Sequence, residues 1–107
     1  MVKGFRMKKE LNYEELERLT EIYKLFGSIP RIKILLHLNN GECSASDLSQ
    51  ACGLSQSATS HQLKDLKQGR IIKSRKEGMN VFYSLDDNHI VQMLENGIEH
   101  ITGSHHE

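Results

Sequence analysis

The chain has 107 residues, and its 14 lysines and arginines are balanced by 14 aspartates and glutamates. This length predicts one small domain. No apolar run is long enough for a bilayer span or a signal peptide, so we expect a soluble, cytoplasmic protein with no membrane partner. Residues 1–9 and 56–80 are basic, whereas residues 84–107 contain no lysine or arginine. We predict a flexible basic segment at residues 1–11, a folded domain at 12–103 and a histidine-rich tail at 104–107.

Two amphipathic helices are predicted at the start of the domain. Asn12 with Glu15 three residues later matches a capping box, and apolar residues then recur at helical spacing until Gly27. These residues are Leu16, Leu19, Tyr23 and Phe26. Pro30 fits the first position of a second helix that ends at the sequence "NNG". The residues that we expect to face inward from this helix are Ile32, Leu35, Leu36 and Leu38.

The next segment, "SASDLSQACGLSQSATSHQLKDLKQG", predicts two helices joined by a tight turn. Ser44 is placed to cap a short helix that runs to about residue 51, and Gly53 supplies the turn. Ser55 is placed to cap a longer helix that ends at Gly69. This spacing is typical of a helix-turn-helix.

The second of these helices has two different faces. Thr59, Leu63 and Leu66 recur at the spacing of a core-facing stripe. The opposite face is short, polar and almost uncharged, which suits hydrogen bonds to base edges in the major groove of DNA. The residues predicted to contact bases are Gln56, Ser57, Ser60 and His61. Lys64 and Lys67 are predicted to contact phosphates.

The sequence "RIIKSRKEGMNVFYSL" predicts two strands around a turn at Gly78. Lys73, Arg75 and Lys76 place positive charge on this hairpin, and we predict that Arg75 and Lys76 contact DNA. In winged-helix proteins, a basic hairpin that follows the DNA-reading helix, here the helix that ends at Gly69, is called the wing. The fold class that we predict is therefore mainly α with a β-hairpin wing (α+β).

The order helix, helix, helix-turn-helix, wing and terminal helix resembles the ArsR/SmtB family of bacterial winged-helix metal-sensing repressors. The resemblance covers roughly residues 12–101, and its most specific part is "LSQSATSHQLKDLKQGRIIKSRKEGMNVFYSL", residues 54–85. It implies a homodimer that pairs through its first and last helices, binds operator DNA and releases it when metal binds. Thr59 departs from the aliphatic residue that is more frequent in the family, and its hydroxyl is able to bond back to a helix carbonyl.

The resemblance implies two places for a metal site. One uses a Cys-x-Cys pair, but Ser44 and Ser46 stand at the matching positions, and hydroxyls do not replace thiolates for a soft metal. The zinc- and cobalt-sensing branch instead uses an Asp-x-His followed by a histidine eleven residues later, which Asp87, His89 and His100 match. We therefore expect the site on the terminal helix.

His89 and His100 share one face of a helix but lie about 16 Å apart along its axis, so they cannot bind one ion within one chain. Antiparallel pairing with a second copy brings Asp87 and His89 beside the other copy's His100, which gives two sites per homodimer. The apolar stripe predicted for this pairing is Ile90, Leu94, Ile98 and Ile101, and Gly97 permits close approach.

The fourth ligand of this site is open, because Gly103 stands where the family has a ligand. We expect it to come from His105, with His106, Glu107 or water as alternatives. Imidazole and carboxylate ligands favour zinc, with cobalt or nickel as alternatives.

Two other functions remain to be weighed. One is a redox-responsive repressor that uses Cys43 and Cys52, and the other is a zinc-dependent hydrolase, although no general base or cleft is apparent and we expect no enzyme.

Overall fold

The computed structural model describes residues 10–103, which form five helices and three strands. Their bounds are α1 (Tyr13–Leu25), α2 (Ile29–Asn39), β1 (Cys43–Ser44), α3 (Ala45–Cys52), α4 (Gln56–Gln68), β2 (Ile72–Glu77), β3 (Asn80–Leu85) and α5 (Asn88–Thr102). None of the helices in this part of the chain is long and apolar enough to cross a membrane. The first nine residues and the tail at 104–107 lie outside the described residues.

The helix starts are fixed by side chains that accept backbone hydrogen bonds. The predicted capping box is confirmed, because Asn12 Oδ1 accepts from the Glu15 N–H at 2.8 Å and a Glu15 carboxylate oxygen accepts from the Asn12 N–H at 3.1 Å. Ser44 and Ser55 cap α3 and α4 as predicted. Pro30 is the second residue of α2 rather than the first, since Ser28 is the cap.

The core lies between α2, α3, α4, the sheet and the start of α5. Thr59, Leu63 and Leu66 are buried as predicted, and the Thr59 hydroxyl donates to the Ser55 carbonyl at 2.9 Å. One expectation for α2 was wrong. Leu36 is 37% exposed, whereas Ile34 is fully buried. Since the two lie two residues apart on a helix, the core face is rotated from the predicted position.

The wing is part of a three-stranded antiparallel sheet with the order β1-β3-β2. The hairpin of β2 and β3 was predicted, but β1 was not. It has two residues, and its pairs are Cys43 with Tyr83 and Ser44 with Phe82. A strand this short shows no alternation of apolar and polar residues, so nothing in the sequence pattern could reveal it.

The corner between α4 and β2 requires close packing. Gly69 lies against Leu25 of α1, and a Cβ at position 69 would overlap the Leu25 Cδ1 atom. The next residue, Arg70, has a φ of 62° in the left-handed region. This corner therefore attaches α1 to the end of the reading helix.

The terminal helices leave apolar side chains exposed. Leu16, Leu19 and Tyr23 on α1 are exposed, as are Ile98 and Ile101 on α5. The predicted pairing stripe is only half correct, because Ile90 and Leu94 are buried in the chain's own core. The periodicity of a helix shows which residues share a face, but not which neighbour covers them. Only the second half of the predicted stripe is free to meet another molecule.

Candidate nucleic-acid interface and metal centre

The outer face of α4 presents the side chains that were predicted to read DNA. All of them are exposed, namely Gln56, Ser57, Ser60, His61, Lys64 and Lys67. The first turn of α4 contains no acidic residue. Its positive dipole end is therefore not neutralised by a carboxylate within the helix. The face is polar and carries two lysines, as expected for a helix that binds in the major groove.

A half-buried polar cluster holds α4 against α2. Arg31 on α2 donates from Nε to the Gln62 side-chain oxygen at 2.6 Å and from Nη2 to Asp65 Oδ2 at 3.2 Å. The same Asp65 oxygen lies 3.7 Å from His61 Nε2. Sequence reasoning missed the part played by Arg31, because its partners Gln62 and Asp65 lie 31 and 34 residues away and no local spacing links them to it. The contact orients the face that carries His61.

The wing carries three basic residues, and they differ in their surroundings. The Arg75 guanidinium donates to both Glu42 carboxylate oxygens, at 2.7 and 2.9 Å, and to Glu77 at 3.1 Å. It also lies 5.0 Å from the centre of the Phe82 ring. The hydrogen bond from Arg75 lowers the pKa of Glu42, and the two carboxylates raise the pKa of Arg75. The contact between Arg75 and DNA remains a prediction. The ion pairs with Glu42 and Glu77 argue against it, because they occupy the guanidinium.

Asp87 and His89 lie together at the start of α5. Asp87 caps the helix, with Oδ1 accepting from the N–H groups of His89 at 2.9 Å and Ile90 at 3.3 Å. Its other oxygen, Oδ2, is 3.4 Å from His89 Nδ1. Burial raises the pKa of the Asp87 carboxyl, but hydrogen bonds from Ile90 and His89 outweigh it, so the pKa lies below its usual value. Oδ1 thus serves the helix cap, and Oδ2 is directed toward His89.

His100 lies in the last turn of the same unbroken helix and is exposed. It is therefore about 16 Å along the axis from His89, as expected. Within residues 10–103 of a single chain, no three histidine, cysteine or acidic side chains are grouped so that they could hold a metal ion. Gly103 ends the helix in a left-handed conformation, with a φ of 71°. The predicted ligands His105, His106 and Glu107 lie outside the described residues.

An open groove of about 830 Å³ runs beside Asp87 and His89, between α1, the end of α4 and the start of α5. Its apolar lining includes Leu19 and Ile22 from α1 and Met93 from α5. The groove therefore joins the candidate ligands to the exposed apolar face of α1.

The surroundings of the two cysteines disfavour the thiolate. Cys43 is half-buried in β1 and its Sγ donates to the Gly41 carbonyl at 3.6 Å, while Cys52 is buried at the end of α3. Burial raises the pKa of both thiols. Because the thiolate is the reactive form, this environment weighs against the redox alternative. Ser44, at the first Cys-x-Cys position, is occupied as the cap of α3.

Known proteins resemble this chain in sequence and in fold. Residues 30–74 match the family described as bacterial regulatory protein, arsR family. The chain is 31% identical over 94 residues to the transcriptional repressor SmtB homolog of Synechocystis, which covers 88% of this chain and 71% of that protein. It is 35% identical over 96 residues to the cadmium resistance transcriptional regulatory protein CadC homolog of Staphylococcus aureus, with 89% and 79% covered.

A solved structure extends the likeness to the fold. The AntR antimony-specific transcriptional repressor matches with a TM-score of 0.79 at 26% sequence identity, over 100% of this chain and 98% of that chain. The succession of helix-turn-helix and wing thus agrees with the predicted fold class.

Proposed function

Because the chain belongs to the ArsR family of bacterial regulatory proteins, we propose that it is a repressor controlled by zinc. It binds operator DNA as a metal-free homodimer and leaves the DNA when zinc binds at the ends of α5. The family consists of transcriptional regulators, in agreement with the prediction that the chain is not an enzyme, and the hydrolase alternative is set aside. The names of similar proteins refer to cadmium and antimony. The choice of zinc therefore rests on this chain's own ligands, which cobalt and nickel also accept.

The observation that carries this proposal is the arrangement at the start of α5. Asp87 Oδ2 and His89 Nδ1 lie 3.4 Å apart, and both side chains are exposed, at 53% and 93%. A carboxylate and an imidazole at an accessible helix start are suitable ligands for zinc, but two are too few. The remaining ligands must come from elsewhere.

A second copy of the chain supplies the missing histidine. The exposed apolar residues of α1, together with Ile98 and Ile101 of α5, support a homodimer formed by these helices. Antiparallel pairing of α5 places the partner's His100 near Asp87 and His89. The partner's Ile101, which is 81% exposed in the single chain, then buries its side chain against the apolar residues beside the groove. Each dimer holds two such sites, and the tail residue His105 remains the proposed fourth ligand.

Ligands shared between two chains explain how the signal reaches the DNA. Metal lowers the affinity for DNA only if it binds more tightly to the DNA-free arrangement of the dimer than to the DNA-bound one. Asp87, His89 and the partner's His100 fix the relative position of the two α5 helices. That position determines the distance between the two α4 helices and hence their fit to the operator.

The DNA half of the proposal is tested on a duplex that the wild-type protein selects from a random library. We expect Ser60→Ala to cost about 1–3 kcal/mol on this duplex and little on unrelated DNA, because Ser60 is assigned to a base edge. Lys64→Ala should weaken binding to the selected duplex and to unrelated DNA, and it should reduce the salt dependence of the affinity. Equal losses for Ser60→Ala on both DNAs would contradict the assignment.

The metal half is tested by adding zinc to the complex of protein and selected duplex. Asp87→Asn and His100→Gln should bind DNA normally and no longer release it with zinc. Asparagine is chosen because its side-chain oxygen preserves the cap of α5. His37→Gln, which alters a histidine on α2 far along the chain from these ligands, is the matched control and should respond as the wild type does.

The shared site is tested with a heterodimer. One chain carries Asp87→Asn and His89→Gln, and the other carries His100→Gln, so one site is intact and the other lacks all three ligands. Calorimetry should find about half the tight zinc sites of the wild-type dimer. If the heterodimer has no tight site, the ligands come from within one chain and the antiparallel arrangement is wrong.

A further inference from the structure

Arg75 on the wing is held by ion pairs and by an aromatic ring. Its Nε and Nη2 atoms both donate to Glu42, and Nη1 donates to Glu77, so every nitrogen of the guanidinium has a carboxylate partner. One face of the group lies over Phe82. Three of its five N–H groups are therefore already used, and each nitrogen that a phosphate would approach already bonds a carboxylate.

The local charge also disfavours a phosphate contact. Arg75 contributes one positive charge and its two partners contribute two negative charges, so the cluster is anionic. The pKa of Glu42 is lowered by its hydrogen bond from Arg75, which keeps that carboxylate charged. DNA approaching the cluster would meet repulsion from Glu42 and Glu77. Lys73 and Lys76 have no ion pair among the described residues, and they remain available to phosphates.

The Arg75 side chain spans the whole sheet. It starts on β2, passes over Phe82 of the central strand β3, and ends at Glu42, directly before β1. The strand β1 has only two paired residues, and the second of them, Ser44, caps α3 of the helix-turn-helix. The contact between Arg75 and Glu42 therefore joins the wing to the base of the reading helices.

We propose that Arg75 is a positioning residue, which fixes the wing relative to α3 and α4 through Glu42, and that Lys73 and Lys76 are the wing's phosphate ligands. A bidentate pair within a charge network is the kind of surface ion pair that has a measurable effect. With the wing fixed, its lysines and the face of α4 meet the DNA in one arrangement. This inference depends on DNA binding alone and not on the metal site.

The test compares Arg75→Lys with Arg75→Gln on the selected duplex at several salt concentrations. Lysine keeps the charge but cannot make the two-sided contact with Glu42. We expect both variants to lose about tenfold in affinity, the coupling typical of residues in one salt-bridge network. The dependence of log affinity on log salt should stay at the wild-type slope for Arg75→Gln, because no phosphate contact is removed.

Lys76→Gln is the matched control, since it removes a wing cation that has no carboxylate partner within residues 10–103. Its salt slope should fall by about 1.8, which is 0.9 for each of two phosphate contacts per dimer. The double variant Glu42→Gln, Arg75→Lys should bind as Arg75→Lys does, because both changes break the same contact. Thermal unfolding should be close to wild type for all of these surface variants.

Three results would overturn the proposal. Wild-type affinity for Arg75→Lys combined with a reduced slope for Arg75→Gln would make Arg75 a direct phosphate ligand. Wild-type binding by both Arg75 variants would show that the wing needs no such support. Losses for the single variants Glu42→Gln and Arg75→Lys that add up in the double variant would show that the two residues act separately.

Discussion

The reading half of the molecule and its terminal helices are built in different ways. In α3, α4 and the sheet, apolar side chains such as Leu48, Leu63 and Leu66 are almost completely buried within one chain. On α1 and the end of α5, large apolar residues including Tyr23 and Ile101 remain exposed. The reader is complete in a single chain, whereas the terminal helices require another molecule to cover them.

This difference indicates where regulation can act. A fully packed reader has little freedom to change its shape, because close-packed interiors deform at high cost. Surfaces that are completed by a second chain can shift at a lower cost. Of the candidate ligands, His100 lies at the end of α5, in the part of the molecule that depends on the partner, and Asp87 and His89 line the groove beside the exposed face of α1.

The largest effect should come from opening a cavity beneath the reader. We expect Leu66→Ala to lower the free energy of unfolding by about 2–5 kcal/mol, because Leu66 is fully buried. Urea denaturation followed by circular dichroism measures this change. If the loss were below about 1 kcal/mol, the reader would not be the tightly packed half.

The next effect should fall on assembly instead of folding. Ile101→Ser should raise the dissociation constant of the dimer at least about tenfold, because burying an isoleucine is worth about 1.5–3 kcal/mol and a symmetric dimer carries the change twice. Sedimentation equilibrium measures the constant. Met79→Ser is the control, since Met79 is 96% exposed at the wing tip and should not affect dimerisation. An equal loss for both variants would remove the contrast between the two halves.

The helix caps should contribute to stability in the same way in both halves of the molecule. Ser55→Ala should lower the free energy of unfolding by about 1 kcal/mol, because it leaves an N–H at the start of α4 without its acceptor. Asp87→Ala should also destabilise the protein, and Asp87→Asn should not. Thermal unfolding of the three variants measures these changes in stability. Wild-type stability for Asp87→Ala would mean that the carboxylate is needed only as a ligand.

The smallest effect concerns the thiols of the reading half. Burial raises the pKa of Cys43 and Cys52, so the thiolate fraction of each at neutral pH is below that of a free cysteine. Alkylation by iodoacetamide, followed by mass spectrometry, should therefore be slow at pH 7 and should accelerate only as the pH rises beyond the ordinary range for a thiol. Fast labelling at neutral pH would reopen the redox alternative.

The elements that the sequence predicted well are those with local signals. Asn12, Ser44 and Ser55 cap helices as expected, and Gly53 provides the left-handed turn between α3 and α4. Each signal involves neighbours within a few residues, so no knowledge of the fold is needed.

The elements that could not be predicted depend on contacts between distant residues. Arg75 and Glu42 are 33 residues apart, and their pairing requires the sheet to place them together. Likewise, Ile90 and Ile101 lie on the same predicted stripe, but only the fold shows that the first is covered by the chain's own core. The candidate metal site has the same dependence, because its ligands are expected from two chains.

The shared position of Ser44 restricts the operators that the protein is able to bind. Ser44 is both the last residue of β1 and the cap of α3, so no linker separates the sheet from the helix-turn-helix. The wing and α4 therefore meet the DNA as one body without an internal hinge. An extra base pair between two half-sites rotates one against the other by about 34°. Since the wing and α4 of one chain cannot adjust independently, any adjustment to that rotation has to come from the pairing of the two chains.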